Sequence, residues 1–486
     1  MDGAVSTNNP ALIALTEAKK LFPEDEIKIF SIGTGFNNNF IDGSRAKNWG
    51  SLSWLRGGII PMLLESNLEH QLSEKIIGEN YFRVDSNLNE TTTQIDIKSM
   101  NNLERMSEMG QKWWAKYMKS SLDFLDEYIL RGEKSDAIPK LFVRNIKTNK
   151  EEEIKISDEA IGVPGSSLMQ RDTDTTKIRV GWESMATPGR VYEYNIVTKE
   201  KKLVKETEIP SGHDPKKYVV ERIKAKSHDG RMIPISLVRL KDSKQDGKSK
   251  ILLYSYGAYK HSVNCSFSAS RFCLVDRGII FAIAHIRGGG DLGDSWHTEG
   301  KKKLKKNTFL DYVACANHLI EQRYTYKGGI CFYGGSAGGL TGGAVANLSP
   351  DLFFGMLLLV PFVDTMTTML NDKLPLTPGE WEMWGNPIKS KEYFEYILSY
   401  SPYNNIDKKD YPSMLITTSL FDNRVLYSEP VKYIAKLRET KTDNNTQLLK
   451  CKMEAAGHGG MSGRDNSITE LAEEYSFILK TAKILN

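Results

Sequence analysis

No apolar stretch of this chain reaches the ~18 residues that a membrane-spanning helix needs, and no basic segment followed by an apolar core opens it. Neither a spanning helix nor a signal peptide is expected. Cysteine is scarce: Cys265, Cys273, Cys315, Cys331 and Cys451 are an odd number, without C-x-x-C spacing and without a companion cluster of histidines. That pattern argues against a disulfide framework and a zinc site, and suits a reducing, cytoplasmic compartment. Charge is nearly balanced, since 65 basic against 61 acidic side chains leave +4, which makes no case for nucleic acid or a membrane surface as partner. The one local excess, Lys301-Lys302-Lys303-Leu304-Lys305-Lys306, reads as a solvated face. No cofactor and no metal are expected.

What is present is enough apolar material for more than one core: 40% of the 486 residues are hydrophobic, a length that suits about two to four domains. In the second half, short continuous apolar runs alternate with helical patterns. Strands are expected at 250–254, 278–286, 328–333, 354–360, 413–418 and 448–455, and helices around 308–322, 338–347, 428–437 and 468–484. The longest apolar run, 353–363, contains Pro361 and reads as a buried strand. Continuous apolar strands alternating with helices mark an α/β fold with a mainly parallel sheet.

Gly334-Gly335-Ser336-Ala337-Gly338 follows the apolar run Gly329-Ile330-Cys331-Phe332-Tyr333 and precedes a small-residue helical stretch. This is the strand, turn and helix of a nucleophile elbow, in which glycines let the backbone turn sharply enough to hold the serine oxygen above the sheet edge. A nucleophilic serine needs a base and a group that orients the base. Asp422 follows the run Met414-Leu415-Ile416-Thr417-Thr418, and His458 lies in Ala455-Ala456-Gly457-His458-Gly459-Gly460, after another apolar run. The chain order Ser, Asp, His matches that of this elbow, and each residue falls where open α/β sheets place their sites. His458 would take the proton from Ser336, and Asp422 would fix its tautomer.

Around these residues stand Ile286-Arg287-Gly288-Gly289-Gly290, Lys305-Lys306-Asn307-Thr308-Phe309 and Asp422-Asn423-Arg424-Val425. Together they closely resemble the prolyl oligopeptidase family, and within it the oligopeptidase B group, from about Ile138 to the C-terminus. The resemblance implies an α/β-hydrolase fold and a serine endopeptidase that cuts short peptides after Arg or Lys. It assigns Tyr256 and the backbone N–H of Ala337 to the oxyanion hole, and Arg424 to a substrate carbonyl. It gives Glu380 and Glu382, in Gly379-Glu380-Trp381-Glu382-Met383-Trp384, the role of paired acids for a basic P1 side chain, which two carboxylates can hold by charge-assisted hydrogen bonds. Asn264, Cys265 and Ser266 stand where relatives carry acids for a second basic residue at P2, so the resemblance supports no dibasic preference.

The front of the chain differs. Asp2-Gly3-Ala4 and Ile29-Phe30-Ser31-Ile32-Gly33-Thr34-Gly35 resemble the C-terminal part of a patatin-like phospholipase domain over about 1–130. The resemblance makes Asp2 a vestigial member of a dyad whose serine is missing. Between the two regions, Leu141-Phe142-Val143-Arg144-Asn145-Ile146-Lys147-Thr148 and Val191-Tyr192-Glu193-Tyr194-Asn195-Ile196-Val197-Thr198 recur at a 50-residue spacing that suits propeller blades. The expected organisation is a patatin-like α/β fragment (1–130), a partial β-propeller segment (131–210) and an α/β-hydrolase peptidase domain (211–486). Three functions follow from different classes: an oligopeptidase weakened by truncation, an esterase or acyl hydrolase using the same triad, and an inactive fusion remnant.

Overall fold

The computed structural model describes residues 29–32, 81–84, 128–135, 138–145, 148–157, 162–165, 176–454, 456–461 and 463–484. The chain divides into two compact units, residues 1–129 with 144–150, and residues 130–143 with 151–486. In the first, Ile29–Ile32 pairs in parallel with Tyr81–Val84.

The second unit is built on an eight-stranded sheet of β1 (Tyr218–Lys226), β2 (Met232–Leu240), β3 (Ile251–Tyr254), β4 (Ile280–Ala284), β5 (Ile330–Gly335), β6 (Phe353–Leu359), β7 (Ser413–Ser419) and β8 (Gln447–Lys452). Their order across the sheet is β1-β2-β4-β3-β5-β6-β7-β8. The β1–β2 and β2–β4 pairs are antiparallel and the rest are parallel. The period-2 geometry of a strand sorts its side chains between two cores. Ile251, Leu253, Ala282, Phe332, Met356, Leu358, Met414 and Ile416 enter one, while Leu252, Phe281, Ile283, Cys331, Leu357 and Leu415 enter the other. Both faces are covered, which is why these strands read as unbroken apolar runs.

Helices complete each layer. On the first face lie α1 (Lys306–Glu321), α2 (Ala337–Leu348), α3 (Thr377–Trp384) and α4 (Ser428–Thr440), contributing Phe309, Tyr312, Leu340, Trp384 and Leu437. On the second, α5 (Arg464–Thr481) buries Phe477, Ile478 and Leu479 against Leu357 and Leu415. The Tyr312 hydroxyl donates to Leu253 O at 3.1 Å, tying α1 to the sheet centre, and its ring packs at 5.0 Å from Phe332. Tyr312→Phe keeps the ring and loses the bond, so denaturant unfolding should show a loss of about 1 kcal/mol.

All six strands and four helices expected in the second half are present, with ends shifted by a few residues. The antiparallel pair β1–β2 comes in addition to them, as do α3 and the helices Thr365–Met369 and Lys391–Leu398. The lysine run needs a correction at one position: Lys305 has 0% exposure, whereas Lys302 and Lys303 carry surface ion pairs to Glu382 and Glu392. A local excess of lysine cannot show that the residue preceding a helix is turned inward.

Ahead of β1, Val163–Gly165, Lys177–Glu183, Arg190–Asn195 and Lys201–Glu206 form a four-stranded antiparallel sheet, and Tyr128–Ser135, Ile138–Asn145 and Glu151–Glu153 a three-stranded one. The 50-residue repeat reappears as a repeated turn. Asn145 N donates to Lys150 O at 2.8 Å and Asn195 N to Glu200 O at 2.9 Å, and in each case the asparagine Oδ1 accepts from the Thr three residues on. Asn149 and Lys199, at matching places, both have positive φ, 58° and 65°.

Candidate active site

Ser336 directly follows β5 and caps α2 with φ 54° and ψ −123°, a strained conformation for a residue with a side chain. Its own backbone holds it there: Ser336 N donates to Leu359 O at 2.8 Å, and Ser336 O accepts from Gly339 N at 2.8 Å and Phe362 N at 3.0 Å. The flanking glycines are sterically required. A Cβ at Gly339 would lie 2.3 Å from Pro361 Cβ, and one at Gly338 would lie 2.9 Å from Ser255 O. The apolar β5, the tight turn and the small-residue helix thus produce the elbow that their sequence implied.

Asp422 follows β7 and His458 follows β8, adjacent parallel strands, so both arrive at the same C-terminal sheet edge as Ser336. His458 Nδ1 lies 2.7 Å from Asp422 Oδ2. The other carboxylate oxygen accepts from the backbone N–H groups of Arg424 (2.9 Å) and Val425 (3.0 Å). Burial opposes the negative charge on Asp422, but the His458 hydrogen bond and the two backbone donors outweigh it and hold the carboxyl below its usual range. This geometry places the Nδ1 proton toward Asp422 and leaves Nε2 as the basic nitrogen. Among the described residues no hydrogen bond joins Ser336 Oγ to His458; such bonds are often long until substrate binds.

Tyr256 follows β3, the neighbour of β5, and its phenol lies close enough to Ser336 to feel it. Burial first, and then the charge of Glu380, push its phenol up, while Ser336 and the Arg424 guanidinium oppose them, so Tyr256, Ser336, Arg424 and Glu380 share one neighbourhood. The phenol stays protonated at neutral pH and can donate. Ala337 is the first residue of α2, where backbone N–H groups lack intrahelical partners and the helix dipole favours developing negative charge. Arg424 is exposed, with its backbone bound to Asp422 and its side chain on the Tyr256 side.

Glu380 and Glu382 are not brought together. Both lie on α3, and residues two apart on a helix point to different faces. Glu380 Oε2 accepts from Tyr259 OH at 2.6 Å and Trp384 Nε1 at 2.8 Å, beside the neighbourhood of Ser336. Glu382 is 85% exposed and pairs with Lys302 at 3.1 Å. The expected pair is therefore corrected to a single acid, Glu380, framed by Tyr259 and Trp384. Phe362, whose ring is 5.4 Å from that of Trp384 and whose N–H binds Ser336 O, is an aromatic neighbour that the sequence patterns do not single out. Cys265, in the stretch matched to P2, is buried in the second core with Sγ 3.8 Å from His285 Nε2. Asp2 lies outside the described residues.

A parallel sheet with antiparallel strands at one edge, a serine on a strained elbow after β5, and an aspartate–histidine pair after β7 and β8 define an α/β-hydrolase. Residues 265–484 match the model of the prolyl oligopeptidase family, and residues 94–207 that of the N-terminal β-propeller domain of prolyl oligopeptidases. The chain belongs to the prolyl oligopeptidase family. The propeller match begins inside the stretch 1–130 that the sequence assigned to a patatin-like fragment.

Among relatives, dipeptidyl aminopeptidase BI of Pseudoxanthomonas mexicana is 41% identical over 358 residues, which are 74% of this chain and 49% of that protein. Protease 2 of Moraxella lacunata is 43% identical over 312 residues, 64% of this chain and 45% of that protein. Oligopeptidase B from Trypanosoma brucei, solved with covalently bound antipain in a closed form, superposes with a TM-score of 0.68 at 38% identity, covering 74% of this chain and 52% of that one. Oligopeptidase B from Leishmania major gives 0.67 at 36%, covering 74% and 51%. The chain spans about half the length of the curated relatives it matches.

Proposed function

We propose that this chain is a serine oligopeptidase that hydrolyses short peptides after Arg or Lys. Ser336 attacks the scissile carbonyl, His458 Nε2 accepts its proton and returns it to the leaving amine, and Asp422 holds the imidazole and stabilises its charged form. Tyr256 OH and Ala337 N–H stabilise the oxyanion, Arg424 binds a substrate carbonyl, and Glu380 receives the basic side chain. The observation that carries this reading is the 2.7 Å Asp422–His458 contact at the sheet edge that also bears the Ser336 elbow. The relatives' names, protease 2 and oligopeptidase B, support peptide bonds as the target.

Two further readings belong with it. The part of the 1–130 stretch ahead of the propeller match is read as similar to a patatin-like domain that includes Asp2, and the cytoplasm as the compartment, in keeping with five free cysteines. The purified chain, assayed in parallel on arginyl reporter peptides, short-chain esters and long-chain phospholipids, should cleave the first most efficiently. Ester cleavage without arginyl peptide cleavage would make it an esterase, and no turnover of any of them an inactive remnant.

A further inference from the structure

Lys305 is fully buried, yet among the described residues no carboxylate lies within ion-pair distance of its ammonium. Its nearest acid on α1, Asp311, is already occupied by Arg287 at 2.7 and 2.8 Å and by Ser227 Oγ at 2.6 Å. Lys305 Nζ instead donates to Gly257 O at 2.6 Å and Thr308 Oγ1 at 3.1 Å, and sits 5.2 Å from the Trp384 ring and 5.7 Å from that of Phe309. Two of these anchors, Gly257 and Trp384, belong to the candidate site. Gly257 follows Tyr256, and Trp384 Nε1 is bonded to Glu380 Oε2 at 2.8 Å. A buried cation without a counter-ion is costly to keep, and burial, only partly offset by Asp311, lowers this ammonium to about 7.

We propose that Lys305 is a specificity-determining charge behind the P1 pocket: its ammonium, seated on Trp384, opposes entry of a basic side chain beside Glu380, so selectivity for a cationic P1 residue rises when Lys305 gives up its proton. The inference rests on the reading of Glu380 as the acceptor of that side chain. The other ionisable groups around it are Asp311 with Arg287, Glu380 across the indole, and the Tyr256 and Tyr259 phenols, both pushed up by burial and by Glu380 and so neutral throughout.

The test is the ratio of kcat/KM for an arginyl reporter peptide to that for its neutral isostere, a citrullyl peptide, measured below and above pH 7 on the full chain. The ratio removes groups, such as His458, that act on both substrates alike. It should rise roughly three- to tenfold through that range, the effect of one like charge at protein-surface dielectric, and be flat and high in Lys305→Met. A flat ratio in the parent, with arginyl still preferred, would overturn the role of Lys305 and leave the pocket reading intact. An equal rise in Lys305→Met would assign the titration to another group, again overturning the role of Lys305 while the pocket reading stands. Should Lys305→Met not fold, Lys305→Gln, which keeps a donor for Gly257 O without a titrating charge, should give the same flat, high ratio, and a rise in it equal to the parent's overturns the role of Lys305. No arginyl preference at any pH sinks the pocket reading and this inference with it.

Discussion

Replacing Ser336 with Ala is expected to lower kcat for arginyl peptides by at least about 10³-fold, because the remaining oxyanion and binding groups cannot supply a nucleophile. The substitution separates chemistry from folding unusually well. Ser336 has φ 54°, and the strain of that conformation comes from its backbone and Cβ, which Ala shares. The three backbone hydrogen bonds that hold the turn, to Leu359 O and from Gly339 and Phe362, are unaffected. Thermal unfolding of Ser336→Ala should therefore match the parent while turnover disappears. A variant that kept the parental rate would sink the proposed nucleophile.

The second large effect concerns the acid facing the pocket. Glu380→Gln keeps an oxygen for Tyr259 OH and Trp384 Nε1 and removes only the charge. Loss of the charged partner of a desolvated guanidinium is worth about 2 kcal/mol at the low end, so kcat/KM for arginyl peptides should fall roughly 30-fold or more, chiefly through KM. Cleavage of a neutral ester should change little. Glu382→Gln, altering a side chain that is 85% exposed, should stay within about twofold on both substrates. Equal losses in the two variants would restore the paired-acid arrangement that the helix geometry separates.

The contrast between these two glutamates shows what is legible in the sequence. The elbow and the order Ser336, Asp422, His458 depend on local chemistry, a strand followed by a turn that only small residues allow, and so can be read without the fold. The Glu-x-Glu string cannot, because whether two side chains converge depends on whether the segment is a loop or a helix. Here α3 turns one of them away. Lys305 is hidden for a related reason: composition describes a run of charge, while burial is set by helix packing against a distant loop. Strand β1 is hard to see because its residues are mostly half-buried, as suits an edge strand, and the run lacks the unbroken apolar signature of the centre.

Strand β3, with Tyr256 just beyond it, lies between β4 and β5, and Ile251 pairs with residues 29 and 79 positions further along the chain. The middle of the sheet therefore closes late and through long loops, the kind of assembly that makes folding slow and exposes sticky intermediates. Because Ser336 directly follows the last of these three strands, its strained turn depends on closure of the sheet centre, so a half-folded chain would carry the residues of the proposed site without their geometry.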